Sequence, residues 1–365
     1  MAAGPGLPEG LDTPALVVFV GVVEANARRL QDELDRRGVA LRPHAKTHKS
    51  VRIGRIQLQA GARGLTVGTL GEAEVFAAAG FDDLFVAYPV IPTGPKAARL
   101  RALHESLPSL RVGVDSADGA RRLAAAIAGS GRRLGVLVEV DPGNRRTGVA
   151  TPEEAANVAQ AARDAGLAVL GVFAHGGHSY RLGAAEAAAA DEVRTLDAAA
   201  DALEAEGFAA KTVSAGSTPT MTLAATGRVT EIRAGTYVLG DHQQVVLGAI
   251  APDDCAVVVA ATVVSVHPDR FVVDAGAKSL TKDRPDWLPG FGHLPAYPDA
   301  MIDRLSDYHG VVVAPPGSAR PALGEVVAIV PNHVCPVVDL FDAYTAVLPD
   351  GSVERWPVDA RGRSG

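Results

Sequence analysis

Over the first two thirds of the chain, short apolar runs alternate with amphipathic stretches. A polar turn follows each run, and most turns lead into a segment whose apolar residues recur at helical spacing. The first helix is predicted to carry Val23, Ala27, Leu30 and Leu34 on one face and to end at Gly38. The eight runs that follow it are 40–46, 65–69, 84–88, 111–116, 136–141, 168–175, 212–217 and 231–235.

Eight strand–helix units over roughly 200 residues predict an α/β fold of the TIM type, a (β/α)8 barrel. The helices predicted between the strands include 71–79, 152–163 and 184–206. No Gly-x-Gly-x-x-Gly segment opens a helix after the first strand, which argues against a doubly wound dinucleotide-binding domain.

After about Leu247 the pattern becomes that of β-strands. Residues of high β propensity fill 257–265, 270–274, 310–313 and 325–330, and the segment Pro349-Asp-Gly351 is typical of a hairpin turn. We therefore predict two domains, a barrel over 12–247 and a mostly β domain over 248–360. The strand at 13–20 is a candidate to pack in the second domain.

Charge and cysteine content narrow the range of partners. A net charge of −7 over 365 residues argues against nucleic acid and anionic membrane surfaces, both of which select basic faces. No apolar run approaches the ~20 residues of a membrane span. The 2 cysteines, Cys255 and Cys335, are too far apart in sequence to indicate a disulfide framework. We expect a cytoplasmic protein with a small-molecule substrate.

Lys46 ends the first barrel run and is flanked by His44 and His48. A lysine in such a turn can lose solvation and act as an amine nucleophile toward carbonyl groups. A solvated basic loop is an equally good interpretation of this segment alone. The other strand ends must decide between the two.

In a barrel of this kind the active groups lie at the carboxyl ends of the strands. The later ends carry Arg146, His175, the Ser/Gly/Thr segment 214–218, and Arg233 followed by Gly235-Thr236. Glycine-rich loops with hydroxyl side chains suit a phosphate group. An amine, a phosphate cradle and an imidazole together indicate pyridoxal 5'-phosphate (PLP) linked to Lys46. Taken singly, either arginine would more often be a surface ion-pair partner.

A possible metal motif, Pro331-Asn-His333-Val-Cys335-Pro336, follows the apolar run 325–330. On a strand, residues two apart face the same side, so His333 and Cys335 could meet one ion. Nitrogen and thiolate ligands favour zinc over magnesium or manganese. Two ligands alone make a weak site, although they leave positions for water and a substrate hydroxyl.

These motifs, in this order, resemble the fold type III PLP enzymes, whose best-known member is alanine racemase. The branch that they resemble most is the D-threonine aldolase and D-serine dehydratase group. The similarity rests on 42–49 around Lys46, 141–148 around Arg146, Ala-His175-Gly-Gly-His178, 214–218 and 235–236, and it covers nearly the whole chain.

The resemblance implies a role for each candidate. Lys46 would bind PLP covalently and act as the catalytic base, Arg146 would lie near the phenolic oxygen, and His175 would lie against the pyridine ring. Arg233 would face the pyridine nitrogen. The phosphate would be bound by Ser214, Gly216, Ser217, Thr218, Gly235 and Thr236. Tyr180 is a further catalytic candidate at the barrel mouth. His333 and Cys335 would bind zinc or another divalent metal such as manganese, and the family implies a homodimer.

The predicted function is a PLP- and zinc-dependent lyase acting on D-amino acids with a β-hydroxyl group. A thiolate in place of a carboxylate in the ligand pair resembles the D-serine dehydratase side of the family. We therefore favour a D-serine dehydratase, which yields pyruvate and ammonia, over a D-threonine aldolase, which yields glycine and an aldehyde. A racemase is a minor alternative, in which Tyr297 or Tyr308 of a partner subunit would be the second base. A non-catalytic PLP carrier would need neither the β domain nor the His-x-Cys pair.

Overall fold

The computed structural model describes residues 6–365, which form two compact units. The barrel unit comprises Arg28–Lys46, Gln57–Gly235 and Arg363–Gly365. The β unit comprises the described residues up to Ala27, together with Thr47–Ile56 and Thr236–Gly362. The predicted domain ranges, 12–247 and 248–360, stay a prediction.

Strand β1 (Ala15–Phe19) and helix α1 (Val20–Arg36) open the described part of the chain. The apolar positions predicted for one face of this helix, from Val23 to Leu34, are all buried. Gly38 follows the helix with φ of +69°, a left-handed conformation that glycine adopts at low cost and that ends the helix. The first predicted helix is therefore confirmed.

The barrel unit is built on eight parallel strands in the order β2-β9-β8-β7-β6-β5-β4-β3. A parallel bridge between His44 and Thr66 joins the two edges of this sheet. Each of the eight predicted runs overlaps one of these strands, and the TIM-type fold class is confirmed. The strands are β2 (Ala40–Leu41), β3 (Leu65–Val67), β4 (Asp83–Pro89), β5 (Ser109–Val114), β6 (Gly135–Glu139), β7 (Ala168–Phe173), β8 (Thr212–Ala215) and β9 (Glu231–Ile232).

Helices connect these strands, and hydroxyl side chains begin several of them. Thr69 and Ser116 each accept a backbone N–H in the first turn of the helix that follows, and Thr151 forms a reciprocal capping box with Glu154. The helices are α2 (Val51–Gln59), α3 (Leu70–Ala78), α4 (Pro95–Ser106), α5 (Ala117–Ala126), α6 (Pro152–Asp164) and α7 (Ala185–Ala205). Among residues 6–365, no helix combines the length and apolarity that crossing a bilayer requires.

A buried ionic cluster joins Arg42, which follows β2, to the first residues of β4 and β9. The Arg42 side chain is 0% exposed and donates to Glu231 at 3.0 Å and to Asp83 at 2.8 Å. Arg111 lies 3.3 Å from Asp83 and 3.5 Å from Glu231. Each buried charge thus has a partner of opposite sign, which offsets its loss of hydration.

The β unit contains a sheet in the order β12-β13-β11-β10-β1-β15-β16, with β14 also paired to β10. Strand β1 runs antiparallel to β10 and parallel to β15. A hairpin at Pro349–Gly351 joins β15 to β16, as predicted. The elements are α8 (His242–Val246), β10 (Val257–Val266), β11 (Arg270–Val273), α9 (Ala277–Leu280), β12 (Met301–Leu305), β13 (Gly310–Val313), β14 (Val326–Ile329), α10 (Val334–Val338), β15 (Ala343–Val347) and β16 (Val353–Pro357).

The strand argument for the His-x-Cys motif is wrong. Strand β14 ends at Ile329, His333 is the N-cap of helix α10, and Cys335 lies in its first turn. Pro336 fits this helix because the first-turn N–H groups have no intrahelical partner to lose. Strand β12 was not predicted, because Asp303 and Arg304 interrupt its apolar pattern.

Candidate active site

Lys46 follows β2 on a backbone that is fixed to both neighbouring strands. The N–H of His44 donates to the carbonyl of Ala234 at 3.0 Å, and the N–H of Ala45 donates to the carbonyl of Thr66 at 2.8 Å. The N–H of Lys46 donates to Nδ1 of His44 at 3.3 Å, and the Lys46 side chain is exposed. The predicted amine is therefore accessible at the carboxyl end of the first barrel strand.

The turn that carries Arg146 is held by a β-bridge between its two ends and by hydrogen bonds within it. Val140 and Val149 form a bridge across it. The Asp141 carboxylate accepts the N–H of Arg145 at 3.0 Å, and Arg145 has a left-handed φ of +52° that turns the chain. The exposed Arg146 side chain therefore extends from a well-defined turn.

His175, just beyond the end of β7, lies among positive charges. Burial lowers the pKa of His175 well below its ordinary value, and Lys46, Arg146, Arg233 and His178 lower it further. The imidazole is therefore neutral at physiological pH. The amine of Lys46 and the guanidinium groups of Arg146 and Arg233 thus surround one ring. This arrangement suits a ligand with several negative charges.

Arg233, after β9, is buried and held by hydrogen bonds. Its Nη1 donates to the Ser214 hydroxyl at 2.7 Å, and its Nη2 donates to the Ala174 carbonyl. The guanidinium also lies 5.3 Å from the centre of the Phe173 ring. The Ser214 hydroxyl donates in turn to Glu231 at 2.7 Å, so in this structure Ser214 supports Arg233.

A buried glutamate on α7 connects the loops after β7 and β8. Glu192 accepts the N–H of Gly176 at 3.2 Å and that of Gly216 at 2.8 Å. Gly216 has φ of +95°, and a Cβ there would lie 2.9 Å from Ile232, so the close approach requires glycine. Burial raises the pKa of Glu192, while these N–H donors and Arg233 lower it.

The hydroxyl groups of the same loops also contact one another. The Ser217 hydroxyl lies 2.9 Å from that of Ser179, and Thr218 is buried beside it in the sequence. The Tyr180 ring centre is 6.4 Å from that of His175, with a tilt of 45°. The barrel unit therefore brings Lys46, Arg146, His175, Tyr180, Arg233 and the 214–218 segment to the carboxyl ends of its strands, and Gly235 follows β9 at the same level.

These residues fit PLP in their chemistry. An accessible amine suits the aldehyde, a neutral imidazole suits the face of an aromatic ring, and clustered cations suit the phosphate and the phenolic oxygen. The hydroxyl residues Ser217 and Thr218, which follow the left-handed Gly216, suit the oxygens of a phosphate group.

His333 and Cys335 meet in the β unit even though they are not on a strand. Burial lowers the pKa of His333, but the charge and hydrogen bond of Cys335, together with Asp241 and Asp283, raise it to about 10. Nδ1 of His333 lies 2.5 Å from Oδ2 of Asp283. This contact fixes the imidazole orientation and leaves Nε2 for a ligand, as in carboxylate–histidine–metal triads.

The donor set fits zinc because it combines imidazole, thiolate and nearby carboxylates. Negative groups hold a proton on His333, and a divalent cation would replace that proton. Over residues 6–365, no cluster of three or more His, Cys, Asp or Glu side chains forms a complete metal site. Two protein ligands would leave coordination positions open.

Asp241 and Thr236 support the His-x-Cys segment from within the β unit. The buried Asp241 carboxylate accepts the N–H of Val334 at 3.1 Å and that of Gln244 at 2.9 Å. Burial raises the pKa of Asp241 to about 6. The Thr236 hydroxyl lies 3.8 Å from Sγ of Cys335, so this predicted phosphate residue directs its side chain toward the thiol.

Sequence reasoning missed Glu139, Glu192, Asp241 and Asp283. A signal existed for Glu139 and Glu192, since each is a carboxylate inside a predominantly apolar element. No signal marked Asp283, which reaches His333 across 50 residues of sequence. Its loop includes Thr281, whose left-handed φ of +58° is rare for a β-branched residue.

Comparison with known families agrees with this geometry. Residues 20–243 match the family described as "Alanine racemase, N-terminal domain", and residues 256–347 match a serine dehydratase domain.

Several named relatives span nearly the whole chain. D-threo-3-hydroxyaspartate dehydratase of Delftia sp. HT23 is 37% identical over 95% of this chain and 97% of that protein. Its structure superposes with a TM-score of 0.88 at 34% identity, covering 95% of this chain and 97% of that one. D-threonine aldolase of Arthrobacter sp. is 36% identical over 99% of this chain and 96% of that protein. D-serine dehydratase of Dictyostelium discoideum is 28% identical, with coverage of 94% and 95%.

The barrel, the order of its strand-end residues and these whole-length similarities lead to one conclusion. The chain belongs to the D-threonine aldolase and D-serine dehydratase family of fold type III PLP enzymes, with an alanine racemase-like barrel.

Proposed function

We propose that this protein is a PLP- and zinc-dependent dehydratase of D-β-hydroxy amino acids, with D-serine as a substrate. The observation that carries the proposal is the His333 imidazole, placed between Cys335 and Asp283. It offers a nitrogen and a sulfur ligand with the second imidazole nitrogen already held by a carboxylate.

A structural neighbour supports a metal role for this pair. A D-threo-3-hydroxyaspartate dehydratase has been solved as a histidine-to-alanine variant and as a cysteine-to-alanine variant in the metal-free form. The two replaced residues are two positions apart, the spacing of His333 and Cys335. We infer that His333 and Cys335 bind the metal in this chain.

In this proposal the barrel residues hold the cofactor and move the proton. Bound PLP supplies an electron sink for charge at the substrate Cα, and bound zinc supplies a Lewis acid for the β-hydroxyl. Lys46 provides the amine for covalent attachment, and its Nζ then takes the Cα proton. The neutral His175 ring would lie against the pyridine face, and Arg146 would be directed to the phenolic oxygen.

Arg233 would face the pyridine nitrogen in this arrangement. A guanidinium does not readily give up a proton, so it leaves that nitrogen unprotonated and the ring a weaker electron sink. The hydrogen bonds from Arg233 to Ser214 and Ala174 fix the orientation of the guanidinium, which supports this role. If the ring withdraws electrons less effectively, the reaction would depend more on a Lewis acid at the leaving hydroxyl. This is consistent with a metal-dependent elimination.

The second candidate function is that of a D-threonine aldolase. The 36% identity to the Arthrobacter aldolase favours it. The same residues would serve if the β-hydroxyl lost a proton and the Cα–Cβ bond broke. Glycine and acetaldehyde from D-threonine would identify this reaction, whereas dehydration of D-threonine would release ammonia and a 2-oxo acid.

Replacing Lys46 tests where the cofactor is attached. Lys46→Ala should abolish the visible absorbance of bound PLP that borohydride removes in the wild type. Lys96→Ala, at an exposed helical lysine, is the matched control and should keep the absorbance. A Lys46→Ala protein with an unchanged, borohydride-sensitive band would overturn the assignment.

Zinc as the metal, a homodimeric assembly and a cytoplasmic location complete the proposal. Metal analysis of the purified protein would separate zinc from manganese. Light scattering on the eluting protein would give the mass of the assembly, for which one chain contributes 37.5 kDa.

A further inference from the structure

Glu139 is a buried carboxylate at the carboxyl end of β6 for which the proposed function gives no role. It is 3% exposed, and its Oε1 accepts a hydrogen bond from the Thr147 hydroxyl at 2.9 Å. Its Oε2 is buried and has no hydrogen-bond partner among residues 6–365. A buried carboxylate oxygen without a donor is costly, which indicates that a donor reaches it in the working enzyme.

The turn containing Arg146 is folded directly against this carboxylate. The N–H of Val149 donates to the carbonyl of Glu139 at 3.0 Å. Gly148 has φ of +98°, and a Cβ there would lie 2.8 Å from the backbone carbonyl carbon of Val140 and 3.2 Å from Cγ of Glu139, so the turn requires glycine at this position. Thr147, bonded to Oε1, is the residue next to Arg146 in the sequence.

Two guanidinium groups are close enough to influence this carboxylate. Burial raises the pKa of Glu139 and so does Asp115, whereas Arg146 and Arg233 lower it. Arg233 already donates Nη1 to Ser214 and Nη2 to Ala174. Arg146 is exposed and extends from the turn that covers Glu139, which makes it the better-placed donor.

We propose that Glu139 is a positioning residue whose Oε2 accepts a hydrogen bond from the Arg146 guanidinium and so directs Arg146 to the phenolic oxygen of PLP. A charge-assisted bond of this kind gives the guanidinium a defined orientation. The inference rests on the proposed function, since it concerns the Arg146 that we assign to the cofactor.

The test is a double-mutant cycle read from bound PLP without substrate. The variants are Glu139→Gln, Arg146→Gln and the double variant, and the readout is the pH midpoint of the cofactor's absorbance change. A well-placed guanidinium stabilises the phenolate, so each single variant should raise the midpoint, and PLP should bind about tenfold more weakly. The double variant should resemble Arg146→Gln, because one interaction has been removed twice.

The sign of the shift separates positioning from a direct charge effect. If Glu139 acted only through its own negative charge, Glu139→Gln would lower the midpoint, and this result would overturn the proposal. Additive shifts in the cycle would overturn it as well. Glu139→Asp keeps the charge but withdraws the oxygen, so it should also raise the midpoint, and it provides a test if the glutamine variant fails to fold.

Asp83→Asn is the control for general destabilisation. Asp83 is a partly buried carboxylate at the amino end of β4, where it pairs with Arg42. Its replacement should lower the melting temperature without moving the midpoint. If wild-type protein shows no lysine-linked PLP absorbance, the proposed function fails; if the wild type shows it and Glu139→Gln leaves the midpoint unchanged, only this inference fails.

Discussion

The carboxylate of Asp283 lies 2.5 Å from Nδ1 of His333, on the side of the imidazole that a metal would not use if it bound Nε2. A carboxylate in this position fixes the orientation of the ring and raises the basicity of the free nitrogen. Asp283 is thus expected to tune a metal ion without touching it.

Asp283→Ala should weaken zinc binding by about 10- to 100-fold, because His333 loses its orienting partner. Competition with a chromophoric zinc chelator would measure the change. Asp286→Ala, at an exposed aspartate of the same loop, should bind zinc like the wild type. Equal affinity in all three proteins would rule out the orienting role.

His242 and His293 form a second histidine pair in the β unit, stacked with ring centres 5.0 Å apart. Burial, followed by the charge of His293, lowers the pKa of His242 to about 4. Between pH 6.5 and 4 the unfolded chain therefore binds a proton at His242 that the folded chain does not. The contribution of this neutral histidine to stability is present above pH 6.5 and is lost as pH falls through 4.

His242→Gln should consequently reduce the loss of stability between pH 6.5 and 4. Melting temperatures recorded across that range for wild type and variant would measure the difference. His309→Gln, at an exposed loop residue, is the control and should follow the wild-type curve. Parallel curves for wild type and His242→Gln would contradict the assignment.

Arg42→Met should destabilise the protein by about 3–5 kcal/mol, because it leaves the buried Glu231 and the partly buried Asp83 without their main cation. Urea unfolding would measure the free energy. Combining it with Glu231→Gln should cost less than the sum of the two single variants, since both remove one interaction. Full additivity would mean that the pair contributes nothing as a pair.

The barrel could be predicted from sequence because its signal is repeated. Each strand is a short apolar run before an amphipathic helix, and eight repeats outweigh an error in any one boundary. Strand β12 was not predicted from sequence, because Met301–Leu305 carries charged residues and its register shifts between Ile302 and Arg304.

Candidate residues could be identified from sequence where they follow a barrel strand, as Lys46, His175 and Arg233 do. No sequence signal marks a side chain that arrives from a distant loop, as Asp283 does. His333 was identified as a metal candidate, but its local structure was not, because a proline-containing segment forms a helical turn there in place of a strand. Residues two apart in sequence point to the same side only within a strand, and β14 ends before His333. His333 and Cys335 meet because a helix N-terminus places them together.

The products that purified, zinc-loaded holoenzyme forms from D-serine and D-threonine, before and after chelation, test the central claim most directly. The account predicts pyruvate and ammonia in equal amounts from D-serine, 2-oxobutanoate from D-threonine, loss of both activities on chelation, and recovery on addition of zinc. Glycine and acetaldehyde from D-threonine, or pyruvate formation that chelation leaves unchanged, would contradict it.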